Sequence, residues 1–254
     1  MQNIIQNKIF PPVKAIGRLL APVWPWPVPA RVRSKILYVD LRSAVGRGIF
    51  VKGQFDDEVF EALSSSLTHG TIFIDVGANV GYYSLLAMDF IGVDGVVHAF
   101  EIDPRPLACL TKTINKNRFK NFKVHEVALG EKGGVGYLQM QKDCGHSSAG
   151  SGLQGRPVPM ATLDSFLQDF KEKRVSAIKI DVEGGELAVL IGARELLLKH
   201  RPLIVCEVVE EHLLRHGHST IKLVQYLTEI GYSHRWLDGV HTPTIVAMPD
   251  SEKP

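Results

Sequence analysis

Short apolar runs alternate with longer stretches of helical spacing along most of the chain. A continuous apolar run that ends in an acid, such as TIFIDVG at 71–77, is typical of a strand buried on both faces. Strands that alternate with helices predict βαβ units and a parallel sheet with right-handed crossovers. Two late runs, 232–238 and 242–249, predict a closing hairpin. We expect strands at 71–77, 95–103, 122–130, 175–184 and 201–209, and helices at 82–92, 104–119, 186–200 and 221–231.

One segment interrupts this alternation. Residues 133–160, between the third and fourth strands, contain a stretch rich in glycine and serine at 145–155. This composition buries little apolar surface and predicts a mobile loop. Because a long loop inside a compact domain is usually functional, we expect the inserted loop to face the substrate. Its candidate contacts are His146, Ser147 and Ser148.

The first part of the chain is less regular. We therefore assign 1–56 to an N-terminal Pro-rich arm with a small strand-rich extension, and 57–254 to the main domain. The arm has no clean signal peptide, and no run in it approaches the roughly 20 apolar residues of a membrane-spanning helix. We interpret it as an extended segment that packs on the domain or on the partner subunit of a homodimer. Peripheral membrane contact through Trp24 and Trp26 is the alternative.

Composition narrows the class of protein. The chain has 254 residues, of which 45% are hydrophobic and 22% charged, and this is enough for one α/β domain. Its net charge is +2 and its basic residues are spread along the chain, which argues against a nucleic-acid partner. The three cysteines are odd in number and lack metal-type spacing, and Cys109 and Cys206 lie within apolar patterns that predict buried thiols. This cysteine usage predicts a reducing, cytoplasmic compartment.

The stretch FIDVGANVGYYS at 73–84 joins a strand end to a glycine turn. In open parallel sheets, ligands bind beyond the carboxyl ends of the strands. Gly77 and Gly81 would let the backbone approach a ligand without Cβ clashes, and the helix that follows offers free N–H groups. A dinucleotide loop needs a third glycine that is absent here, and Asp75 would repel a pyrophosphate. S-adenosylmethionine, with its sulfonium and α-amino groups, fits beside that acid.

The second strand also ends in an acid, Glu101. An acid at this position is placed to bind ribose hydroxyls, which both NAD and S-adenosylmethionine contain. Ile102 is then a candidate to lie against the adenine, although an apolar residue there is equally typical of ordinary packing. Glu101 therefore supports a nucleoside-containing cofactor but does not discriminate between the two.

Several stretches together resemble the FkbM family of S-adenosylmethionine-dependent methyltransferases. They are FIDVGANVGYYSLLA, AFEIDPRP, VALGE, ATLDSFL and, most specifically, IKIDVEGGELAVLIGA. The resemblance spans roughly residues 50–209. It implies the α/β class I methyltransferase fold, which is Rossmann-like, with a mostly parallel seven-stranded sheet, helices on both faces and an antiparallel last strand. It further implies O-methylation of a hydroxyl on a sugar, glycolipid or small natural product.

The resemblance also implies roles for individual residues. The methionyl part of the cofactor would be held by the glycine loop, at Asp75, Gly77, Ala78, Asn79 and Gly81. Glu101 would bind the ribose. The tip of the third strand would border the adenine, at Glu126, Val127 and Ala128.

A hydroxyl acceptor needs a base or a metal ion to remove its proton. Lys179, Asp181 and Glu183 are spaced by two at the tip of the fourth strand, so an ideal strand places them on one face. We take Asp181 as a general base or metal ligand and Glu183 as a base or acceptor contact. A Lys179–Asp181 pair that only satisfies itself is the alternative. Candidates on and after the fifth strand are Glu207 and His212.

A magnesium site is a further alternative. Asp181 and Glu207 lie at comparable depths on neighbouring strands, and carboxylates suit a hard divalent cation. Val208 stands where such a site would need another oxygen ligand. We therefore favour base catalysis without a metal and assign no metal ligands.

Two other functions remain open at this point. One is a module that binds S-adenosylmethionine without catalysis and acts by interaction. The other is an NAD-type oxidoreductase, which Asp75 and the missing glycine disfavour. The N/D-P-P-[YF] motif associated with amino-group methylation is absent from the fourth-strand tip, which favours an oxygen acceptor.

Overall fold

The structure, a computed structural model, describes residues 27–141, 147–150 and 154–250. The strands are β1 (Val28–Val32), β2 (Lys35–Val39), β3 (Ile72–Val76), β4 (Val96–Phe100), β5 (Phe122–His125), β6 (Ala128–Leu129), β7 (Gly134–Gln139), β8 (Ser148–Gly150), β9 (Arg156–Ala161), β10 (Val175–Ile180), β11 (Leu203–Glu207), β12 (Tyr232–Trp236) and β13 (Thr244–Pro249). The helices are α1 (Ala44–Lys52), α2 (Asp57–Ser64), α3 (Tyr82–Ile91), α4 (Pro104–Asn117), α5 (Glu186–Ile191), α6 (Arg194–His200), α7 (Glu210–Arg215), α8 (Thr220–Glu229) and a 3-10 helix (Leu163–Phe170).

The central sheet of the described residues has seven strands in the order β12-β13-β11-β10-β3-β4-β5. Strands β11, β10, β3, β4 and β5 pair in parallel, and β13 pairs antiparallel with both β11 and β12. The predicted parallel sheet, the closing hairpin and the antiparallel last strand are therefore confirmed. The order reverses beside β3, so the carboxyl ends of β3 and β10 form the crevice in which such sheets bind ligands.

Alternate residues of the central strands face two separate layers of helices. Phe73, Ala177 and Val205 pack with the first layer, which contains the β1–β2 hairpin and helices α1 to α4. Ile74, Ile178 and Ile204 pack with the second layer, which contains the 3-10 helix and helices α5 to α8. The sheet is thus covered on both faces, as the continuous apolar runs predict.

The described part of the N-terminal segment shares the first of these layers. Val32, Leu37 and Ile49 are buried with the residues of α3 and α4. The division at residue 56 stays a prediction about organisation, and the Pro-rich stretch with Trp24 and Trp26 lies outside the described residues. Among the residues that the structure does describe, no helix combines the length and apolarity needed to cross a membrane.

The prediction of a loop across 133–160 is wrong in part. Strands β7, β8 and β9 join β6 in a small sheet, and β8 lies inside the glycine-rich stretch. Leu138 and Val158 are buried under this sheet, while Val135 and Tyr137 are exposed. That alternation is a strand pattern, and the glycines around it had obscured it. The predicted third strand and the predicted 186–200 helix are each divided in two as well.

Candidate active site

Two cavities open at the carboxyl ends of the central strands. The first cavity is lined by Val76, Gly77, Asn79, Phe100, Glu101, Ile102, Val127, Ala128, Leu129, Ser147, Ala149, Asp181, Val182 and Glu183. The second, larger cavity is lined by Ala44, Val45, Phe55, Asp56, Val59, Gly77, Ala78, Asn79, Val80, Tyr82, Tyr83, Lys179, Ile180, Asp181, Glu183, Val205, Glu207, His241, Thr242 and Thr244. Four residues line both cavities, and we call them the junction: Gly77, Asn79, Asp181 and Glu183.

The glycine loop forms one side of the junction. Gly77 has a φ of 74°, and a Cβ atom there would lie 1.8 Å from the backbone oxygen of Asp181. Asn79 also has a positive φ, of 51°, which is more accessible to asparagine than to most residues. Ala78 lines the second cavity but not the first, and its contact with the cofactor stays a prediction.

Gly81 does not line either cavity, contrary to the expectation that it gives a ligand access to the backbone. Its φ is 82°, and a Cβ atom there would lie 2.4 Å from Leu110 of α4. The glycine is therefore required by the turn and by close helix packing.

Asp75 is likewise not on a cavity wall. Its side chain is fully buried inside the sheet, where Ser84 Oγ donates to its Oδ2 at 2.6 Å. Burial raises the pKa of Asp75, and the Lys179 cation opposes that rise. The expected direct contact with the cofactor is corrected, because strand alternation turns this side chain toward Lys179 and α3 rather than toward the crevice.

Glu101 lines the first cavity as predicted. Its carboxylate accepts hydrogen bonds from the backbone N–H groups of Asn79 (2.8 Å), Ile102 (2.7 Å) and Asp103 (2.8 Å). Burial raises the pKa of Glu101 to about 7, and these hydrogen bonds oppose the rise. The side chain is held rigidly beside the apolar wall of Phe100 and Ile102, so the chemistry of the cavity fits a ribose next to a flat base.

Strand β6 and the residue before it form the far wall of the first cavity. Val127 and Ala128 line it together with Leu129, whereas Glu126 is exposed and does not. This wall is therefore an apolar surface that begins one residue after Glu126. The adenine border stays a prediction, and the exposed side chain of Glu126 does not support its part in it.

The tip of β10 carries the predicted acids, but not as one strand face. The strand ends at Ile180, and Glu183 stands in a turn with a φ of 61°. Lys179 lines only the second of the two cavities, whereas Asp181 and Glu183 line both. Lys179 Nζ donates to Asp181 Oδ2 at 2.9 Å, so the predicted pair exists and lies at the site.

Glu186 holds this turn, and the sequence analysis missed it. Its Oε1 accepts hydrogen bonds from the backbone N–H groups of Val182 (3.2 Å) and Gly184 (2.9 Å). The side chain is buried, which raises the pKa of Glu186 to about 7. The available signal was an acid at the first residue of the helix after a Gly-Gly turn, a position where a carboxylate reaches free backbone N–H groups.

Lys179 is a buried cation surrounded by acids. Burial alone would lower the pKa of Lys179, but the carboxylates of Asp181 and Asp75 outweigh burial and raise it. The ammonium also lies 5.0 Å from the centre of the Tyr83 ring. It therefore stays protonated and gives the second cavity a fixed positive charge.

Glu207 and His212 occupy different positions. Glu207 lines the second cavity, and burial together with the charge of Asp181 raises its pKa to about 8. His212 lines neither cavity, and its Nδ1 lies 2.8 Å from Glu183 Oε2. The expected contact of His212 with the acceptor is corrected, since it reaches the site through Glu183.

No group of three or more His, Cys, Asp or Glu side chains within the described ranges is arranged to hold a metal ion. Asp181 and Glu207 do share the second cavity, as their strand positions predict. These two side chains alone do not form a complete magnesium site, and a magnesium mechanism stays an alternative.

The small sheet is anchored beside the first cavity by residues that the sequence analysis did not select. Asp103 accepts from Ser147 Oγ at 2.9 Å and pairs with Arg105. Arg105 also donates to the backbone oxygen of Gln141 at 2.8 Å. Ser147 lines the cavity, Ser148 is buried in β8, and His146 lies outside the described residues.

Comparison with known proteins agrees with this geometry. The sequence model of the methyltransferase FkbM domain matches residues 75–233. A search of curated proteins found no match. Three solved structures are similar. The FkbM methyltransferase of Methylobacillus flagellatus KT has 22% identity and a TM-score of 0.47 over 70% of this chain and 44% of its own.

The precorrin-6y C5,15-methyltransferase of Geobacter metallireducens GS-15 has 17% identity and a TM-score of 0.47, over 76% and 88% of the two chains. An S-adenosylmethionine-dependent O-methyltransferase of Thermotoga maritima has 13% identity and a TM-score of 0.48, over 89% and 87%. The present chain thus spans less than half the length of the FkbM structure that it matches. Because the domain model covers well over half of the chain, and the sheet has the expected topology, the chain belongs to the FkbM family of S-adenosylmethionine-dependent methyltransferases and has the class I methyltransferase fold.

Proposed function

We propose that the protein transfers a methyl group from S-adenosylmethionine to a hydroxyl oxygen of a sugar, glycolipid or small natural product. The observation that carries this proposal is the junction, where a carboxylate, Asp181, lines both the cavity that contains Glu101 and the larger second cavity. A methyl donor and an acceptor must meet at one point, and a base must stand there when the acceptor is a hydroxyl.

The first cavity has the residues to hold the cofactor. Glu101 is placed for the ribose hydroxyls, and Ile102, Val127 and Ala128 supply apolar surface for the base. The acidic junction suits a sulfonium and an ammonium group, because opposite charges attract strongly where water is limited. When bound, S-adenosylmethionine supplies an electrophilic methyl group.

The protein's own residues position the acceptor and take its proton. Asp181 accepts the proton from the acceptor hydroxyl, a contribution of about 10²–10⁴-fold in such sites. Lys179, which donates to Asp181 Oδ2 at 2.9 Å, fixes the orientation of the carboxylate and leaves its other oxygen for the hydroxyl. Alignment of the reacting groups accounts for about 7–11 kcal/mol of the barrier in well-oriented systems.

The test combines calorimetry with a transfer assay. S-adenosylhomocysteine should bind the purified protein with micromolar affinity, and NADH should not bind. Radiolabelled S-adenosylmethionine, screened against glycosides and hydroxylated metabolites, should label at least one acceptor. Asp181→Asn should keep cofactor affinity within a few-fold and lower kcat/KM by about 10²–10⁴-fold. Asp94→Asn, whose side chain is 69% exposed in the turn before β4, is the matched control.

The same experiment separates the competing functions. Binding of S-adenosylhomocysteine without transfer to any acceptor would favour a module that acts by interaction alone. Loss of transfer on addition of a chelator, restored by Mg²⁺, would favour the magnesium mechanism over the base. Wild-type turnover by Asp181→Asn would overturn the role assigned to this residue.

A further inference from the structure

We propose that Asp56 selects the acceptor by accepting a hydrogen bond from a second hydroxyl, next to the one that is methylated. The acceptor is then an uncharged ring with neighbouring hydroxyl groups, such as a sugar unit without phosphate or carboxylate. This inference rests on the proposed function and narrows it, since it assigns a substrate class to the second cavity.

Asp56 faces the second cavity instead of stabilising its own helix. It stands at the N-cap position of α2, where its backbone oxygen accepts from the N–H groups of Val59 and Phe60, but its side chain makes no capping hydrogen bond, and its φ and ψ are 40° and 63°. By contrast, Ser43 and Asp103 are extended at the N-caps of α1 and α4, and each accepts from a backbone N–H of its helix. The side chain of Asp56 is 10% exposed, and one of its oxygens lies 3.4 Å from His241 Nε2.

This conformation costs stability that the side chain does not recover by capping its own helix. A left-handed backbone at a residue other than glycine costs of order 1–3 kcal/mol, and such residues concentrate at functional sites. An aspartate that forgoes its cap loses a further stabilising contact of about 1 kcal/mol. The gain in this protein is a carboxylate that points into the second cavity together with Asp181.

The wall that contains Asp56 also lies outside the segment that the FkbM domain model matches. Every residue that lines the first cavity falls within the matched segment, 75–233. Asp56, Phe55 and His241 line the second cavity and fall outside it. A common cofactor needs a common cavity, whereas an individual acceptor needs residues of the individual chain.

The charges in the second cavity favour hydroxyl groups over anions. Four acids line it, Asp56, Asp181, Glu183 and Glu207, against the cation Lys179 and the imidazole of His241. Burial raises the pKa of Glu207 to about 8, so this acid is mostly neutral at pH 7. Ionised carboxylates accept hydrogen bonds and donate none, so the other three acids bind hydroxyls and repel phosphate or carboxylate groups.

Aromatic surface is present beside these acids. Phe55 and Tyr82 line the same cavity and meet edge to face, with ring centroids 6.3 Å apart. A sugar ring presents apolar C–H groups on its faces and hydroxyls at its rim, so this combination of aromatic rings and carboxylates matches it. An adjoining cavity, also lined by Asp56, leaves room for the rest of a larger acceptor.

The test measures the binding of methyl glycosides to the protein loaded with S-adenosylhomocysteine, by saturation-transfer NMR. The probes are methyl α-L-fucopyranoside, methyl α-D-mannopyranoside, their single-deoxy analogues and mannose 6-phosphate. We expect the two glycosides to bind and the phosphate not to bind. Asp56→Asn should weaken glycoside binding at least tenfold, and removal of one hydroxyl should weaken binding to the wild type but not to this variant.

The control is Glu61→Gln, which removes the same charge from the exposed surface of α2 and lines neither the second cavity nor the adjoining one. It should change glycoside binding less than twofold. Because the side chain of Asp56 does not cap α2, Asp56→Asn should bind S-adenosylhomocysteine like the wild type, which confirms that it is folded.

Three outcomes would overturn the inference: equal glycoside affinity in Asp56→Asn and wild type, preference for the phosphorylated probe, or no glycoside binding at all. These outcomes can be distinguished from failure of the proposed function. If Asp181→Asn loses hydroxyl methylation while Asp56→Asn keeps the wild-type acceptor preference, the proposed function stands and only the role assigned to Asp56 is overturned.

Discussion

A Cβ atom on Gly77 would lie 1.8 Å from the backbone oxygen of Asp181. The two residues belong to neighbouring strand ends, so the glycine brings the loop after β3 against the turn after β10. The acid that we assign as base is thereby held at a fixed distance from the cofactor loop. The glycine is needed for contact between two parts of the protein, in addition to its positive φ.

Gly77→Ala should therefore displace the junction. We expect the affinity for S-adenosylhomocysteine to fall at least tenfold, and the free energy of unfolding to fall by about 1–3 kcal/mol more than the left-handed backbone alone would cost. Gly70→Ala is the matched control, because Gly70 also has a positive φ, of 81°, but nothing lies within 4 Å of its Cβ position. Calorimetry and thermal unfolding measure both effects. Equal losses in the two variants would contradict the packing role.

Glu186→Gln should change how stability depends on pH. Burial raises the pKa of Glu186 to about 7, above its ordinary value near 4.5, so the folded protein favours the neutral carboxyl. The stabilisation is fully present below about pH 4.5 and is lost as the pH rises through about 7. The difference in free energy of unfolding between wild type and variant should then fall by about 1–3 kcal/mol from pH 4.5 to 7.5.

Chemical denaturation at several pH values checks this expectation. Glu195→Gln, on the exposed surface of α6, controls for the loss of one negative charge. A difference between wild type and Glu186→Gln that stays constant across the range would show that Glu186 is ionised throughout.

The strand order was predictable because buried parallel strands leave continuous apolar runs, and β3, β10 and β11 all do. The acids at their ends were predictable for the same reason, since parallel strands bring their carboxyl ends together. Glu101, Asp181 and Glu207 accordingly lie where the sequence indicates.

The misses share a different cause. Strand alternation buries the side chain of Asp75 away from the crevice. Glu183 lies beyond the end of β10 with a left-handed backbone, so its side chain does not follow the alternation of the strand. The contacts of Glu186 and the orientation of Asp56 depend on backbone angles that no spacing reveals. Residues 133–160 were misassigned because glycine content dominated the weaker period-two pattern of β7.

The ionisation of Glu207 should be visible in the pH dependence of methyl transfer. Burial and the charge of Asp181 raise its pKa to about 8, so it is mostly protonated at neutral pH. Its ionisation adds a negative charge beside the acceptor, where positive charge develops as the hydroxyl is methylated. We expect kcat/KM to rise through pH 8 in the wild type and this rise to be absent in Glu207→Gln. Identical profiles would exclude Glu207 from the reaction.

Arg105→Gln should speed the release of the cofactor product. Arg105 and Asp103 anchor Ser147 and Gln141, and Ser147 lines the first cavity. Without the guanidinium, the segment beside the cavity loses charge-assisted contacts worth about 1.5–3 kcal/mol each. The dissociation rate of S-adenosylhomocysteine, measured by stopped flow, should rise about tenfold or more. Lys116→Gln, exposed on the same helix, should leave the rate unchanged.

The carboxylates at the junction also bear on product inhibition. With S-adenosylmethionine bound as proposed, Asp181 and Glu183 would attract the positively charged sulfur, and transfer of the methyl group would leave that sulfur neutral. The attraction that helps to load the methyl donor would therefore weaken as the reaction is completed. An enzyme with this charge arrangement should bind its spent cofactor less tightly than the methyl donor, which would reduce product inhibition.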